Sequence, residues 1–213
     1  MRLLSGTTLI ITNCTLQFDA GVSIICEPGS YMQVVNATLT NSTTTAWRGI
    51  RLIGNPVNTF GSGATCELHG ATIRNSYTGI EAAMGSTVSS VYSLFDANVV
   101  GIELGTGGIW NAISFTIAET RFTSSTNLIA QCSTLPIQGL TKPLAGIIAK
   151  NIGTLDMTPF VSPSTVAFDN LNNGIVSTRG NCIVNNCKFE EIRNYDMHSF
   201  NYKGWSLRKW GFK

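Results

Sequence analysis

Large apolar residues return along this chain at a fixed phase rather than in helical stripes. Ile73 is followed six positions on by Gly79-Ile80, Phe95 by Gly101-Ile102 and Phe168 by Gly174-Ile175. Ile73 to Phe95 and Gly79 to Gly101 are both steps of 22 residues, and Phe168 to Phe189 is a step of 21. Looser copies place Gly49-Ile50 after Leu39, and Gly146-Ile147 after a long insertion. Short alternating runs precede the large apolar residue: Asn13-Cys14-Thr15-Leu16, Asn36-Ala37-Thr38-Leu39, Gly70-Ala71-Thr72-Ile73, Ala118-Glu119-Thr120-Arg121-Phe122 and Asn186-Cys187-Lys188-Phe189. A period of two marks half-buried strands. An Asn or Gly near each run supplies a bend.

At about 3.3 Å per residue, a repeat of this length has room for three short strands and three turns. One such coil leaves backbone groups unpaired above and below, and the next coil, stacked about 4.8 Å away, pairs them. The pattern therefore predicts an all-β fold: a right-handed single-stranded parallel β-helix, a solenoid of about 22 residues per coil with loop insertions. Ile50, Ile80, Ile102, Ile147 and Ile175 then form an interior ladder. The Gly before each suits a turn of positive φ or a close backbone approach. A leucine-rich repeat shares the period, but its several Leu and fixed Asn are absent. A β-sandwich would not place Gly-Ile copies in register. The repeat covers residues 1–195. From 196 to 213 the chain reads as an irregular tail, with Asp196-Met197-His198 standing where Gly-Ile is expected. Stretches 54–64, 130–144 and 156–165 are rich in Gly, Asn or Pro and read as insertions. Such loops either form a binding face or are simply tolerated.

Composition narrows the class. Charged residues are 12% of the chain, against about 25% in ordinary soluble domains. With Thr, Ser and Asn abundant and 21 glycines, the mix suits secreted β-rich proteins. The net charge of +2 leaves an acidic partner open. Lys203, Arg208, Lys209 and Lys213 interleave with Trp205, Trp210 and Phe212 near the end. That mix can bind nucleic acid or a membrane surface, but it reads first as a chain end, and no nucleic-acid partner is expected. No apolar run reaches the length of about 18 residues that a membrane span needs. Met1 to Thr8 lacks the apolar stretch of a signal peptide and carries no cap, so an internal piece of a longer protein is expected. Six cysteines, Cys14, Cys26, Cys66, Cys132, Cys182 and Cys187, include no metal-type CxxC pair. They are either small buried hydrophobes or disulfides of an oxidising compartment. Cys14 and Cys187 occupy equivalent points of the repeat, where interior stacking would explain them.

Several motifs occur in a telling order: Leu9-Ile10-Ile11-Thr12-Asn13-Cys14-Thr15-Leu16, Ile24-Ile25-Cys26-Glu27-Pro28-Gly29, Asn36-Ala37-Thr38-Leu39-Thr40 and Trp47-Arg48-Gly49-Ile50. Phe168-Asp169-Asn170-Leu171-Asn172-Asn173-Gly174-Ile175 follows later, then Asn186-Cys187-Lys188-Phe189. Their order resembles the β-helix regions of large secreted or surface proteins of Bacteroidetes-type bacteria, which share the pectate-lyase-like superfamily fold. The resemblance covers most of residues 9–195. It implies a right-handed parallel β-helix and export, by the type IX route. It implies no catalytic residues. The C-terminal sorting domain usual in such proteins has no counterpart here.

Catalysis was sought in charged rows. Glycoside hydrolysis needs two carboxylates about 5 to 9.5 Å apart. Glu81 and Glu103 each follow a Gly-Ile, so both should point outward on adjacent coils, with Arg51 in the same register. The plainer reading is a surface row in which Arg51 offsets Glu81. Ile148 and Val176 come next and end the charge. A lyase needs clustered acids and a basic residue, but Asp19, Asp96, Asp156 and Asp169 stand apart. No metal site, phosphate loop or dinucleotide fingerprint is present, so no cofactor is expected. Trp47, Tyr77, Tyr92 and Trp110 are candidates to stack on sugar rings, if they share a face; the alternative is core or corner packing. The expectation is a non-catalytic structural or adhesive segment of a cell-surface or secreted protein, with extracellular polysaccharide or cell-surface components as partners. The alternatives are a carbohydrate-binding solenoid or a polysaccharide lyase or hydrolase.

Overall fold

The computed structural model describes residues 1–55, 62–106, 113–128, 140–152, 154–157, 165–201 and 204–208. After β1 (Arg2–Leu3) the chain makes seven rungs of three strands. The first is β2 (Thr8–Thr12), β3 (Thr15–Phe18) and β4 (Ser23–Cys26); the second is β5 (Tyr31–Val35), β6 (Thr38–Asn41) and β7 (Gly49–Leu52). The third is β8 (Thr65–His69), β9 (Thr72–Arg74) and β10 (Thr78–Ala83); the fourth is β11 (Thr87–Val91), β12 (Leu94–Asp96) and β13 (Val100–Thr106). Then follow β14 (Ser114–Ala118), β15 (Arg121–Thr123) and β16 (Ala145–Lys150), and β17 (Thr154–Met157), β18 (Val166–Asp169) and β19 (Asn173–Thr178). The last rung is β20 (Asn181–Val184), β21 (Cys187–Glu190) and β22 (Tyr195–Asn201), with β23 (Gly204–Arg208) folded back on it.

Third strands pair only with third strands, in the order β1-β4-β7-β10-β13-β16-β19-β22-β23. We call this wall A. The first strands form wall B, β2-β5-β8-β11-β14 with β17-β20 paired separately, and the second strands form wall C, β3-β6-β9-β12-β15-β18-β21. Pairing is parallel throughout, except that β23 runs antiparallel to β22. This is the parallel β-helix that the periodicity requires. Its connections are of the crossover class that is right-handed in about 98% of cases.

The interior holds like on like. Ile24, Ile50, Ile80, Ile102, Ile147 and Ile175 are register partners on wall A, and each is 0% exposed. On wall C the inward residues pass from Leu39 and Ile73 to Phe95, Phe122, Phe168 and Phe189. The four rings stack at centroid distances of 4.9, 5.0 and 4.9 Å. That ladder accounts for the Gly-Ile motif. A Cβ on Gly79, Gly101 or Gly146 would meet Phe95, Phe122 or Phe168 at 2.8, 2.5 and 2.6 Å. These glycines are notches that admit a ring from the wall C strand of the next coil. Only Gly49 combines the motif with positive φ, +104°.

Corners turn on residues in the left-handed region. Between walls B and C these are Asn13, Asn36, Gly70, Tyr92, Glu119 and Asn186, and the amides of Asn13, Asn36, Gly70 and Tyr92 donate up the stack, Asn36 to the His69 carbonyl at 2.9 Å and Gly70 to that of Val91 at 3.0 Å.

Two expectations change. The 22-residue step holds from Ile80 to Ile102, but other ladder steps are longer, Ile50 to Ile80 and Ile102 to Ile147 among them, and coils are spaced by roughly 26 residues. Insertions sit at corners, so they lengthen a coil without moving the ladder. Of the segment 196–213, expected to be an irregular tail, the described residues belong to β22 and β23. β22 pairs in parallel with β19, with Met197 in register with Ile175. Three insertions leave wall A or enter it: between β7 and β8, between β13 and β14, and between β15 and β16. The second of these was not anticipated, and 158–164, part of the expected loop 156–165, lies outside the described residues.

Candidate functional site

Wall A turns its other side outward, and there the row runs Ile25, Arg51, Glu81, Glu103, Ile148 and Val176. Glu81 and Glu103 are direct register partners on adjacent coils. The structure thus brings together all three charged residues singled out in the sequence. It also shows how they are used. Arg51 Nε donates to Glu81 Oε2 at 2.9 Å. Glu103 turns away to Lys150, whose Nζ lies 2.5 Å from Oε1. Lys150 was not anticipated, since it lies two positions past Ile148, one coil on. Each carboxylate is therefore held by its own cation.

The same device recurs. Arg2 pairs with Glu27, Arg74 with Asp96 and Arg121 with Asp169, at 2.5, 3.5 and 2.5 Å. Five of the six ion pairs among the described residues join one coil to the next, Lys188–Glu190 within β21 being the exception. Asp96, only 4% exposed, also accepts from Ser125 N and Oγ at 2.8 and 2.7 Å. It thereby ties three successive coils through Arg74, itself and Ser125. Asn98 ties two successive coils without charge, accepting from Ser76 N and Oγ and donating to the Ile73 carbonyl. No signal in the sequence marked either residue, because one Asp or Asn in a polar chain looks like any other.

The aromatic candidates do not share a face. Trp47 is fully buried. It stacks on Phe18 at 4.5 Å, and its Nε1 donates to the Arg74 carbonyl at 2.9 Å. It is a corner of the core and offers no ring to a ligand. Tyr77 lies half-buried between walls C and A, while Tyr92 stands 71% exposed between walls B and C. Trp110 lies outside the described residues.

Cys14, Cys26, Cys66 and Cys187 are free thiols; Cys132 lies outside the described residues. Cys26 and Cys66 are buried hydrophobes, and burial pushes the Cys26 thiol up to about 11 and the Cys66 thiol higher still. Burial, then the neighbouring Cys182, raises Cys187 to about 12. Cys14 takes the corner position that Ala37 and Ala71 fill inside the stack, yet it is exposed, because β2 and β3 have no strand on their outer side among the described residues.

A depression of about 140 Å³ lies beside the phenylalanine ladder, lined by Asn98, Thr123, Pro143 and Leu171 among others. No lining residue is titratable, and it is smaller than the roughly 300–1,000 Å³ of a typical ligand pocket. No group of three or more His, Cys, Asp or Glu among the described residues is placed to hold a metal ion. No helix among them is long and apolar enough to cross a membrane. Comparison with known proteins finds no family model, no curated protein and no solved structure that matches this chain.

Proposed function

We propose that this chain is a non-catalytic structural or adhesive β-helix module of an exported bacterial surface protein. The observation that carries the reading is the deployment of charge. Ion pairs run from coil to coil, and both candidate catalytic carboxylates are spent in them. Each such pair is weak when exposed, about 0.2–1 kcal/mol. A row of them, together with the Asp96 and Asn98 ties, resists sliding of one coil over the next. Such use of charge suits a rod that must keep its shape outside the cell. The order of the motifs and the low-charge, Thr- and Asn-rich composition support export, and the family resemblance rests on that motif order.

The test is chemical. The wild-type chain and a Glu81→Gln/Glu103→Gln variant are incubated with a panel of neutral and acidic polysaccharides, and new reducing ends and unsaturated products are measured. No cleavage by either chain is expected. Cleavage by the wild type that disappears in the variant would refute the reading. Export is checked separately, by surface biotinylation of cells expressing the full-length gene.

A further inference from the structure

The three outer walls differ in charge. Wall A carries Arg51, Glu81, Glu103 and Lys150, and wall C carries Arg74, Asp96, Arg121 and Asp169. Along β2, β5, β8, β11 and β14, wall B carries one carboxylate outward, Glu67, and no lysine or arginine. Glu67 is itself covered: Tyr31 Oη donates to it at 2.6 Å and Gln33 Nε2 approaches at 3.5 Å. The first outward position of each of these five strands bears a hydroxyl. Thr8, Tyr31, Thr65, Thr87 and Ser114 are consecutive register partners. They form one straight row with a repeat of about 4.8 Å.

At the margin of this wall stands Tyr92. Its φ is +52°, a conformation that costs a bulky residue energy and that Asn or Gly adopts readily. Sister coils do use Asn13, Asn36, Gly70 and Asn186 at this corner. Glu119 is the other departure, and its carboxylate accepts from the Thr165 amide at 3.1 Å, which gives it a structural reason. The Tyr92 ring is 71% exposed and has no hydrogen bond or ring contact among the described residues. Backbone strain kept without a packing gain points to a role outside the fold.

We propose that wall B, with Tyr92 at its edge, is the adhesive surface of this module and binds a neutral polysaccharide. This rests on the adhesive reading above and names its ligand class. The hydroxyl row matches a polymer of hydroxyls whose units recur on the scale of the stacked coils. The charge-poor wall excludes nothing neutral and gives an acidic polymer no cation to pair with. An exposed tyrosine provides a flat apolar face for a sugar ring, with its own hydroxyl left in water.

The experiment uses the full chain in affinity gels containing β-glucan, mannan or xylan, with polygalacturonate as the acidic control. Retardation by at least one neutral polymer is expected, unchanged by molar salt. Tyr92→Asn should fold normally, since it restores the residue used by sister coils, and should weaken binding about tenfold. Tyr92→Phe should bind like the wild type. Three results would overturn the proposal: no retardation by any neutral polymer, a salt-sensitive preference for polygalacturonate, or unchanged binding by a folded Tyr92→Asn chain. None of these bears on the cleavage assay, so the adhesive surface can fail while the non-catalytic reading stands.

Discussion

If the Gly-Ile glycines are notches for the phenylalanine ladder, the cost of filling a notch must depend on the ring beside it. Gly146 is the cleanest case. A Cβ there would lie 2.6 and 2.8 Å from Cδ1 and Cε1 of Phe168, and only the Gly174 carbonyl oxygen, at 3.0 Å, adds a backbone conflict. Gly146→Ala therefore overpacks the core, which costs about 1–3 kcal/mol. Loss of glycine entropy from the unfolded chain returns about 0.4–1 kcal/mol, leaving a net loss of about 1.3 kcal/mol. In a chain of this length that lowers Tm by about 3–5 °C. Phe168→Leu removes stacking on Phe122 at 5.0 Å and on Phe189 at 4.9 Å, at about 2 kcal/mol. In the double variant the alanine methyl occupies space the ring has left. The two losses should then fall short of their sum by at least about 1 kcal/mol. The assay is urea unfolding followed by both circular dichroism and tryptophan fluorescence, whose transitions must coincide before free energies are compared. Strict additivity would refute the notch argument. Gly49 is the control: its Cβ would fall on the backbone carbonyl of Thr78, and φ is +104°, so no side-chain trimming should rescue Gly49→Ala.

Three further outcomes follow from the same geometry. Glu103→Gln should cost less than about 1 kcal/mol in chemical denaturation, and the difference should shrink with added salt, since the Lys150 partner is 47% exposed. A larger, salt-independent loss would mean the pair is not the surface tie described. Alkylation with peptide mapping should label Cys14 in the native chain, while Cys26 and Cys66, buried and with thiols raised by that burial, should react only on unfolding; early labelling of Cys66 would contradict the packing. Tyr31 is raised to about 12, first by its hydrogen bond to Glu67 and then by burial. Its folded value lies above the unfolded value of about 10, so its contribution to stability is complete below about pH 10 and is lost as pH rises toward 12. Ultraviolet titration should show a late tyrosinate in the wild type that is missing from Tyr31→Phe.

The inside of this molecule was legible in its sequence and most of the outside was not. Ile50, Ile80, Ile102, Ile147 and Ile175 disclosed their ladder because a stacked interior repeats its own residue and punishes exceptions. The outward register of Arg51, Glu81 and Glu103 followed from it by strict alternation. Coil length was misjudged because a corner accepts any number of extra residues once its left-handed turn is made. Two causes for the motif glycines were open in the sequence, and the structure selects close approach at Gly79, Gly101 and Gly146 and adds positive φ at Gly49. The partner of Glu103 was hidden, since Lys150 is 47 residues away across an insertion that no local pattern spans. Trp47 stood open between a ligand platform and corner packing, the latter preferred from its place two residues before Gly49, and the structure selects the corner.

That asymmetry also says where function can be sought. The fold dictates inward residues and corners, but an outward position need only favour an extended backbone. Wall A uses that freedom: its outer row passes from Ile25 through Arg51, Glu81 and Glu103 to Ile148 and Val176 with no common chemistry. In the first of the three outer rows of wall B the freedom goes unused, and threonine, tyrosine, threonine, threonine and serine all present a hydroxyl, while the rows through Gln33 and Val35 are mixed. β-Propensity favours Thr and Tyr over Ser, so it does not select the one group the five share. Nor does the interior, which these side chains do not reach. Uniformity at positions the fold leaves free is the trace of something the fold does not contain. In this chain it coincides with the wall poorest in charge and with the strained, exposed tyrosine at its margin.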